Sequence, residues 1–494
     1  MAVPRHRQRS RNRALRRSRQ SAHVAPRNRV KIAALAATMA LIAAACTGLQ
    51  NPSGSGPSTV ARPLTALSPT ASSTTSTVAG VAATTTVRLT VAAGARAAPF
   101  STHRTLTVPA GWKAELWARV PDARMEAWSP EGDLLVSEPD EGKIIGLVPG
   151  ANPQTAPTKR IVLSGLTQPQ GLALARLDGR WVLYVGESDQ IDRYPWKGST
   201  VSGARTVIAG NLPDLDPTGD DVHRQKDVAV APNGTVYFNV SSSSNANPDD
   251  RTMTPPRAVI MAVNPNGGDR HVVETGVRNG EGLAVAPNGT VWTAVNNRDN
   301  ITYPFSGAYG GVADALGHVI QAYVNNHPAD EVVPVSQGRD LGWPYCNPDP
   351  DLNTAAGSDA DVPFVADALT NPGGTAFDCA SLSPIEVGLA AHSAPLGLAF
   401  LEGSRLSAPW SGGAVVAVHG SWDRQPPQPP AVLWMPWDTV AGTLRPAMTL
   451  VAGFQGANGS RWGRPVDAVP GPDGALYVSD DTAGAIYRLA PPTN

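Results

Sequence analysis

His223 is the side chain in this sequence whose type and position best suit proton transfer. It stands near the start of the stretch 222–245, VHRQKDVAVAPNGTVYFNVSSSSN. An imidazole titrates close to neutral pH, so it can take a proton from a substrate hydroxyl. Asp220 and Asp221 lie just upstream and offer carboxylates to orient the ring. We therefore take His223 as the candidate catalytic base, with an ordinary solvated loop histidine as the alternative.

The same stretch contains a turn and a strand that recur along the chain. Ala-Pro-Asn-Gly at 231–234 is a turn signal, and 236–240 has the pattern of the strand that follows. The pattern returns five times: SPEGDLLVSE from Ser129, RLDGRWVLYVGES from Arg176, APNGTVWTAV from Ala286, FLEGSRL…GGAVVAVHGS from Phe400 and PGPDGALYVSDD from Pro470. Recurring β units predict an all-β propeller, and a β-sandwich is the alternative.

The first 46 residues have the features of an export signal. Residues 1–31 contain eleven Arg or Lys and no Asp or Glu, and an apolar run follows from Ile32 to Cys46. This run is shorter than the about 20 residues that a membrane span needs. The alanines before Cys46 suit ordinary signal peptidase, and with Leu41 they also approximate a lipobox. We predict a lipoprotein signal peptide in which Cys46 is acylated, with free secretion as the alternative.

Composition divides the rest of the chain into two parts. Residues 47–100 are rich in Ser, Thr, Ala and Pro with almost no charge, which predicts a flexible tether. Residues 101–494 are then the propeller, held by lipid at the outer or periplasmic side of the membrane. The whole chain has 40 Lys and Arg, eleven of them in the leader, against 41 Asp and Glu. The exported protein is therefore acidic, which argues against nucleic acid as a partner.

Cysteine usage agrees with export. Besides Cys46 only Cys346 and Cys379 are present, and we predict that they form a disulfide.

No cysteine or histidine spacing matches a zinc or haem site. There is also no nucleotide-binding glycine motif, no G-x-S-x-G and no H-E-x-x-H.

Several longer segments resemble one known family. GVRNGEGLAVAPNGTVW, ADEVVPVSQGRDLGWPYC, AHSAPLGLAF, VAVHGSWDR and GFQ…WGRPVDAVPGPDGALYVSDD resemble, in the same order, the soluble quinoprotein sugar dehydrogenases. The likeness is greatest to the sorbosone and glucose dehydrogenases, and it covers 110–490. It implies a six-bladed propeller that holds pyrroloquinoline quinone and calcium at the top of its central channel. Such enzymes oxidise an aldose or aldehyde by hydride transfer, and a membrane quinone or cytochrome would accept the electrons.

The resemblance also implies roles for individual residues. His223 falls where the family has its base. Arg278 and Asn279 match an Arg-Asn pair that holds a quinone carbonyl, and Arg464 matches an arginine facing a cofactor carboxylate. Four positions match less closely. Arg424 would be a further cation, Trp422 and Trp343 would stack on the quinone, and Gln170 would be a substrate-contacting glutamine.

Calcium in the family is bound largely by main-chain carbonyls, here those of Asn297, Arg298 and Asp299. The chain departs from the family at three places. Val222 stands where an Asp precedes the base, Val466 replaces a second arginine, and Arg298-Asp299 replaces Gly-Pro. These departures leave two other hypotheses open: a cofactor-less propeller that binds carbohydrate or a protein partner, and a metal-dependent lactonase.

Overall fold

The computed structural model describes residues 83–214, 223–352 and 359–492, which are almost entirely β structure. Six antiparallel sheets, each built on four main strands, form the blades of a propeller, so the predicted fold is confirmed. Blade 1 has strands Glu126–Trp128, Leu134–Glu138, Lys143–Val148 and Thr158–Ser164; blade 2 has Leu172–Leu177, Arg180–Gly186, Ile191–Lys197 and Thr206–Ala209, with Thr200–Val201 added; blade 3 has Val228–Val230, Val236–Val240, Val259–Val263 and His271–Thr275.

The last three blades follow the same order, and the ring closes in the last one. Blade 4 has Leu283–Val285, Val291–Val295, Asp330–Pro334 and Val387–Leu389; blade 5 has Pro395–Phe400, Ala414–Val418, Ala431–Met435 and Met448–Val451; blade 6 has Pro465–Pro470, Leu476–Asp480, Ala485–Ala490 and, from the other end of the chain, Lys113–Arg119. Lys113 pairs with Ala490, so a strand from the N-terminal side completes the last blade. Closure leaves no open sheet edge in the ring.

The recurring turn joins the first and second strands of each blade. In blade 3, Gly234 has a φ of +88° and donates its N–H to the carbonyl of Ala231 at 2.8 Å. In blade 4, Gly289 has a φ of +85° and bonds Ala286 in the same way, also at 2.8 Å. Glycine adopts this left-handed conformation without strain, which explains why the turn signature marks the blades.

Part of the segment predicted as a tether is folded against the propeller. Thr84–Arg88 pairs with Thr105–Pro109 as a two-stranded antiparallel sheet, and Leu89 and Phe100 are buried in the adjoining hydrophobic core. The β-branched residues Thr84 to Val87 suit a strand, a signal that the low charge of the segment concealed. The boundary therefore lies before Thr84 and not at residue 100. The leader, Cys46 and the tether up to residue 82 lie outside the described residues.

The longest connections belong to blade 4, as expected for an insertion at one rim. They carry the helix Gln321–Val324, the hairpin Cys346–Pro348 and Phe364–Ala366, and a disulfide between Cys346 and Cys379. The remaining short elements are the strands Trp437–Asp438 and Thr443–Leu444 and the 3-10 turns Ala93–Ala95, Pro248–Arg251, Pro350–Leu352, Pro372–Gly374 and Cys379–Ser381. Within the described ranges, no helix is long and apolar enough to cross a membrane.

Candidate active site

A polar cavity of about 250 Å³ lies at one end of the central channel. Its walls come from the loops that lead into the first strand of a blade and from those that join the second and third strands. Because neighbouring strands are antiparallel, both kinds of loop lie at the same end of a blade. Seven titratable side chains line the cavity: Arg124, His223, Glu281, Asp299, His392, His419 and Arg464.

His223 stands on the loop that leads into Val228–Val230, and its ring is fixed by Ser242. Nδ1 lies 2.9 Å from the hydroxyl of Ser242, which itself donates to the carbonyl of Ser244, and 3.2 Å from the Ser242 carbonyl. A proton on Nδ1 satisfies both acceptors and places the ring lone pair on Nε2. Burial, and then the guanidinium of Arg278, lower the pKa of His223 well below its usual range. The imidazole is therefore neutral near pH 7 and able to accept a proton. The residues just before it, Asp220, Asp221 and Val222, lie outside the described part of the chain.

Arg464 provides a positive charge on the cavity wall. Its Nε donates to the carbonyl of His419 at 2.8 Å, and its Nη2 donates to the carbonyl of Gly420 at 3.0 Å. Among the described residues no carboxylate forms a salt bridge with it. Burial, followed by the nearby Arg461 and Arg124, lowers the pKa of Arg464. A guanidinium held by neutral carbonyls and crowded by other cations suits an anionic ligand.

A chain of charged groups crosses the mouth of the channel. Arg124 bonds Glu281 at 3.1 Å and Asp481 at 3.0 Å, and Asp481 accepts from His419 Nε2 at 3.0 Å. Burial raises the pKa of Asp481, but the hydrogen bond from His419 and the charge of Arg124 outweigh it and hold that pKa well below its usual value. Burial lowers the pKa of His419 against the pull of Asp481. Four blades are thus joined by one network in which Arg124 is paired with two carboxylates.

Two carboxylates lie beside an imidazole at the cavity: those of Asp299 and Asp423 beside His392. His392 Nε2 lies 2.7 Å from the carbonyl of Val324, so it carries the proton, and Nδ1 faces Asp423 Oδ2 at 3.4 Å and Asp299 Oδ1 at 3.8 Å. Asp423 Oδ1 is buried and has no hydrogen-bond partner. Carboxylate oxygens suit a hard divalent cation such as calcium. The two aspartates therefore fit the implied calcium ion through their side chains.

Arg278 does not line the cavity, contrary to its predicted contact with the cofactor. Its buried guanidinium donates to the main-chain oxygens of Asn245 and Asn296, and it forms a 3.1 Å salt bridge with Asp299. Burial lowers the pKa of Arg278 and raises that of Asp299, and the salt bridge opposes both shifts. In this structure Arg278 positions Asp299.

Asn279, by contrast, lines the cavity, and its contact with the cofactor stays a prediction. Its amide nitrogen donates to Glu281 at 3.2 Å, while its Oδ1 is buried with no hydrogen-bond partner. A buried acceptor without a donor costs free energy unless a ligand or water supplies one. Asn279 is therefore a contact that a bound ligand would satisfy.

The weaker sequence matches give a mixed result. Trp422 lines the cavity and is 68% exposed, as a ring available for stacking must be. Gln170 is fully buried below the cavity wall, where it donates to Glu281 at 2.7 Å. Arg424 points elsewhere and donates to Gln428 at 2.8 Å. Trp343 is buried in the core. Of these four residues, Trp422 lines the cavity and the other three do not.

Of the three residues predicted to bind calcium, Asp299 alone lines the cavity. Asn297 is buried and bonds Asp330 through its main-chain N–H at 2.8 Å and Glu331 through its amide at 2.7 Å. Arg298 is buried in a salt bridge with Asp367. The side chains of Asn297 and Arg298 therefore support the loop, and their main-chain carbonyls remain predicted ligands.

Sequence reasoning did not identify Arg124, Glu281, Asp423 and Asp481 as part of the site. A signal for two of them was present in the repeat. Arg124 stands two residues before the first strand of blade 1, and Glu281 stands two residues before that of blade 4. Aligning the repeats on their first strands places Arg124 and Glu281 at the same position.

These features define a six-bladed propeller with a polar ligand cavity over its central channel. A family model described as TrAA12-like matches residues 106–491, and the chain belongs to this family. The match covers nearly the same residues, 110–490, over which the sequence resembles a known family.

Two solved structures with this fold carry informative descriptions. One is a Trichoderma reesei carbohydrate-active enzyme of family AA12, which is 20% identical with a TM-score of 0.62 over 77% of this chain and 96% of that chain. The other is the holo form of the pyranose dehydrogenase PQQ domain from Coprinopsis cinerea, which is 21% identical with a TM-score of 0.62 over 78% and 97%. At these identities the likeness establishes the fold.

A sequence relative is an uncharacterized protein of Borreliella burgdorferi. It is 26% identical over 280 residues, which make up 56% of this chain and 62% of that protein. The match therefore spans less than two thirds of the relative's length.

Proposed function

We propose that this protein is a quinoprotein dehydrogenase that oxidises an aldose or a related aldehyde with pyrroloquinoline quinone bound in the cavity. The observation that carries the proposal is that a neutral imidazole, His223, lines the same cavity as Arg464, a guanidinium with no carboxylate partner among the described residues. The Coprinopsis domain with the same fold is described as a holo PQQ domain, which supports the choice of cofactor.

The cavity residues fit such a cofactor, which is a flat tricarboxylate. Arg464 would bind one carboxylate, and the buried Asn279 Oδ1 would accept a hydrogen bond from the ligand. The exposed ring of Trp422 offers a surface for stacking. When bound, the group supplies the acceptor for the hydride removed from the substrate carbon.

The protein's own residues supply the proton transfer and the cation site. His223 Nε2 accepts the proton of the substrate hydroxyl as the C–H bond is broken, a step typically worth about 10²–10⁴-fold in rate. The contact with Ser242 keeps the ring in the required tautomer. We propose that Asp299 and Asp423 hold calcium, with Arg278 fixing Asp299 in place.

One observation favours a second hypothesis, a propeller that has lost the cofactor and binds carbohydrate or a protein partner. Arg278 and Arg424, two of the cations predicted to face the cofactor, do not line the cavity and are bonded to other protein groups. Arg124, which does line the cavity, is already paired with Glu281 and Asp481. The three carboxylates of the cofactor would then face Arg464 as the one cavity guanidinium, among the described residues, that has no carboxylate partner.

A binding titration followed by an activity screen tests the proposal. The purified protein is titrated with pyrroloquinoline quinone in the presence of calcium, and tryptophan fluorescence reports binding close to Trp422. The loaded protein is then assayed for dye reduction with a panel of aldoses, sorbosone and simple aldehydes. Saturable binding with sugar-dependent reduction supports the dehydrogenase. Sugar binding by a protein that takes up no quinone supports the second hypothesis.

We also propose that the protein is exported and anchored by lipid on Cys46, with a membrane quinone or cytochrome as electron acceptor. The basic leader and its apolar run support this proposal. Acyl chains anchor a protein stably where a polar tether does not. Cys46→Ala is expected to release the protein from the membrane fraction, and unchanged membrane association would contradict the lipid anchor.

A further inference from the structure

A second cluster of potential metal ligands lies outside the cavity, in the connections of blade 4. It consists of His327, just before Asp330–Pro334, and of Asp349 and Asp351, just after Cys346–Pro348. One ligand atom from each residue lies within 4.8 Å of the other two. His327 Nε2 is 3.2 Å from Asp349 Oδ1 and 3.3 Å from Asp351 Oδ2.

The hydrogen bonding of His327 leaves its second nitrogen facing these two carboxylates. Nδ1 lies 3.0 Å from the carbonyl oxygen of Tyr323, and because a carbonyl only accepts, Nδ1 carries the proton. In the neutral ring the lone pair is then on Nε2. That atom is buried and makes a hydrogen bond to neither aspartate. Three electron-rich atoms directed at one point repel one another unless a proton on Nε2 or a metal cation lies between them.

The ligands are held in position by groups outside the cluster. The ring of His327 stacks on that of Tyr323, with centroids 3.9 Å apart and planes 11° from parallel. The Tyr323 hydroxyl lies 3.0 Å from Asp349 Oδ2 and donates to it, while Asp349 Oδ1 accepts from the main-chain N–H of Asp351 at 2.9 Å. An imidazole whose other N–H bonds a carbonyl is the usual arrangement of a metal-binding histidine.

We propose that His327, Asp349 and Asp351 bind a divalent transition-metal ion, with zinc as the best match. Nitrogen and oxygen ligands at zinc bond lengths in a tetrahedral site lie about 3.4 Å apart, close to the two distances from His327 Nε2. An imidazole nitrogen in the set disfavours calcium and magnesium, which take oxygen ligands. Asp351 is 73% exposed, so solvent can reach the fourth position.

The ion would stabilise one wall of the candidate active site. It would tie the loop at Asp349 to the helix Gln321–Val324, which carries Tyr323. The last carbonyl of that helix, of Val324, accepts the hydrogen bond from His392 in the cavity. The site therefore has a structural role in positioning His392. It does not depend on the proposed dehydrogenase activity.

Metal binding by the purified full chain tests this proposal. After chelation and removal of the chelator, the protein is titrated with Zn²⁺ by calorimetry and with Co²⁺ by visible absorption, and bound zinc is measured by mass spectrometry. Asp351→Asn is expected to weaken zinc binding at least about 100-fold, since even outer contacts of a metal site contribute about 10–100-fold. Zinc should also raise the melting temperature of the wild type but not that of Asp351→Asn.

Two matched variants locate the ion. Asp314→Asn removes an exposed carboxylate from the same insertion and should bind zinc like the wild type. Asp299→Asn alters the cavity cluster and should also retain the zinc at His327. Equal zinc affinity in the wild type and Asp351→Asn would overturn the proposal. So would a folded wild type that binds neither ion and shows His327 doubly protonated by ¹⁵N NMR.

Discussion

Arg464 Nε donates a 2.8 Å hydrogen bond to the carbonyl oxygen of His419, so a residue of blade 6 is fixed to a loop of blade 5. The bond orients the guanidinium at the cavity without neutralising its charge. The imidazole of the same His419 is meanwhile bonded to Asp481. The loop at His419 therefore contacts both Arg464, through its main chain, and the network of Arg124, Glu281 and Asp481, through its imidazole.

Replacing Arg464 should separate cofactor binding from turnover. Arg464→Ala is expected to weaken binding of pyrroloquinoline quinone by at least tenfold, because charge-assisted bonds to a carboxylate contribute roughly 1.5–3 kcal/mol. The rate should recover in part at high cofactor concentration. Arg424→Ala is the matched control, since Arg424 bonds Gln428 and does not line the cavity. Equal losses in the two variants would contradict this assignment.

The proposed base predicts both a rate effect and a pH profile. His223→Ala should bind the cofactor normally but turn over about 10²–10⁴-fold more slowly. Burial and Arg278 lower the pKa of His223 well below its usual range, so the base is already deprotonated at pH 6.5. The wild-type kcat/KM should accordingly show no loss from His223 as the pH falls from 8 to 6.5. If His223→Ala keeps full turnover, His419→Ala and His392→Ala are the next variants to assay.

The sequence predicted the ring of blades well because each turn signature reports a local backbone requirement. Gly234 and Gly289 occupy the left-handed turns that the Asn-Gly pairs indicated. Side-chain direction at the channel mouth was harder to predict. Arg278 is in the expected place in the chain, but partners from other loops, Asn245 and Asp299, draw its guanidinium away from the cavity. Such pairings depend on contacts between residues that are distant in the sequence.

The prediction of a tether is wrong for residues 84–100, for a related reason. Composition alone gave residues 84–100 no core of their own, yet Leu89 and Phe100 bury their side chains against residues from both ends of the chain. Burial of this kind depends on the closed ring. Arg124 and Glu281 were missed although their register before the first strands was readable from the repeat.

The central channel contains a carboxylate that should destabilise the protein at neutral pH. Both side-chain oxygens of Glu126 are buried and find no hydrogen-bond partner in the described part of the chain, and burial, then Asp467, raise its pKa well above the usual range. Because the folded-state pKa lies above the unfolded value of about 4.3, the folded state binds the proton more tightly. The stability present below pH 4.3 is therefore lost as the pH rises through the folded-state pKa.

Glu126→Gln removes this charge and should raise the free energy of unfolding at pH 8 by roughly 1–3 kcal/mol. The gain should shrink as the pH falls toward about 4.3. Urea unfolding at both pH values measures the difference. Glu141→Gln, an exposed change, should remain within about 0.5 kcal/mol of the wild type at both. A Glu126→Gln protein that is less stable at pH 8 would contradict this reading of the channel.

Calcium dependence should map to the carboxylates of the cavity cluster. Asp423→Asn is expected to raise the calcium concentration needed for half-maximal dye reduction by about tenfold or more, because one of few oxygen ligands loses its charge. Asp269→Asn, which changes an exposed aspartate of blade 3, is the control. An unchanged calcium requirement in Asp423→Asn would favour coordination by the main-chain carbonyls of Asn297 and Arg298.

A single-turnover experiment tests the central claim most directly. Protein loaded with one equivalent of pyrroloquinoline quinone is mixed with an aldose in the absence of dye, and the quinone absorbance and the oxidised sugar are measured together. The dehydrogenase predicts loss of the oxidised quinone spectrum and one mole of oxidised sugar per mole of loaded sites, at least about 100-fold more slowly in His223→Ala. An unchanged quinone spectrum and no oxidised sugar across the panel of aldoses, sorbosone and simple aldehydes would contradict the claim.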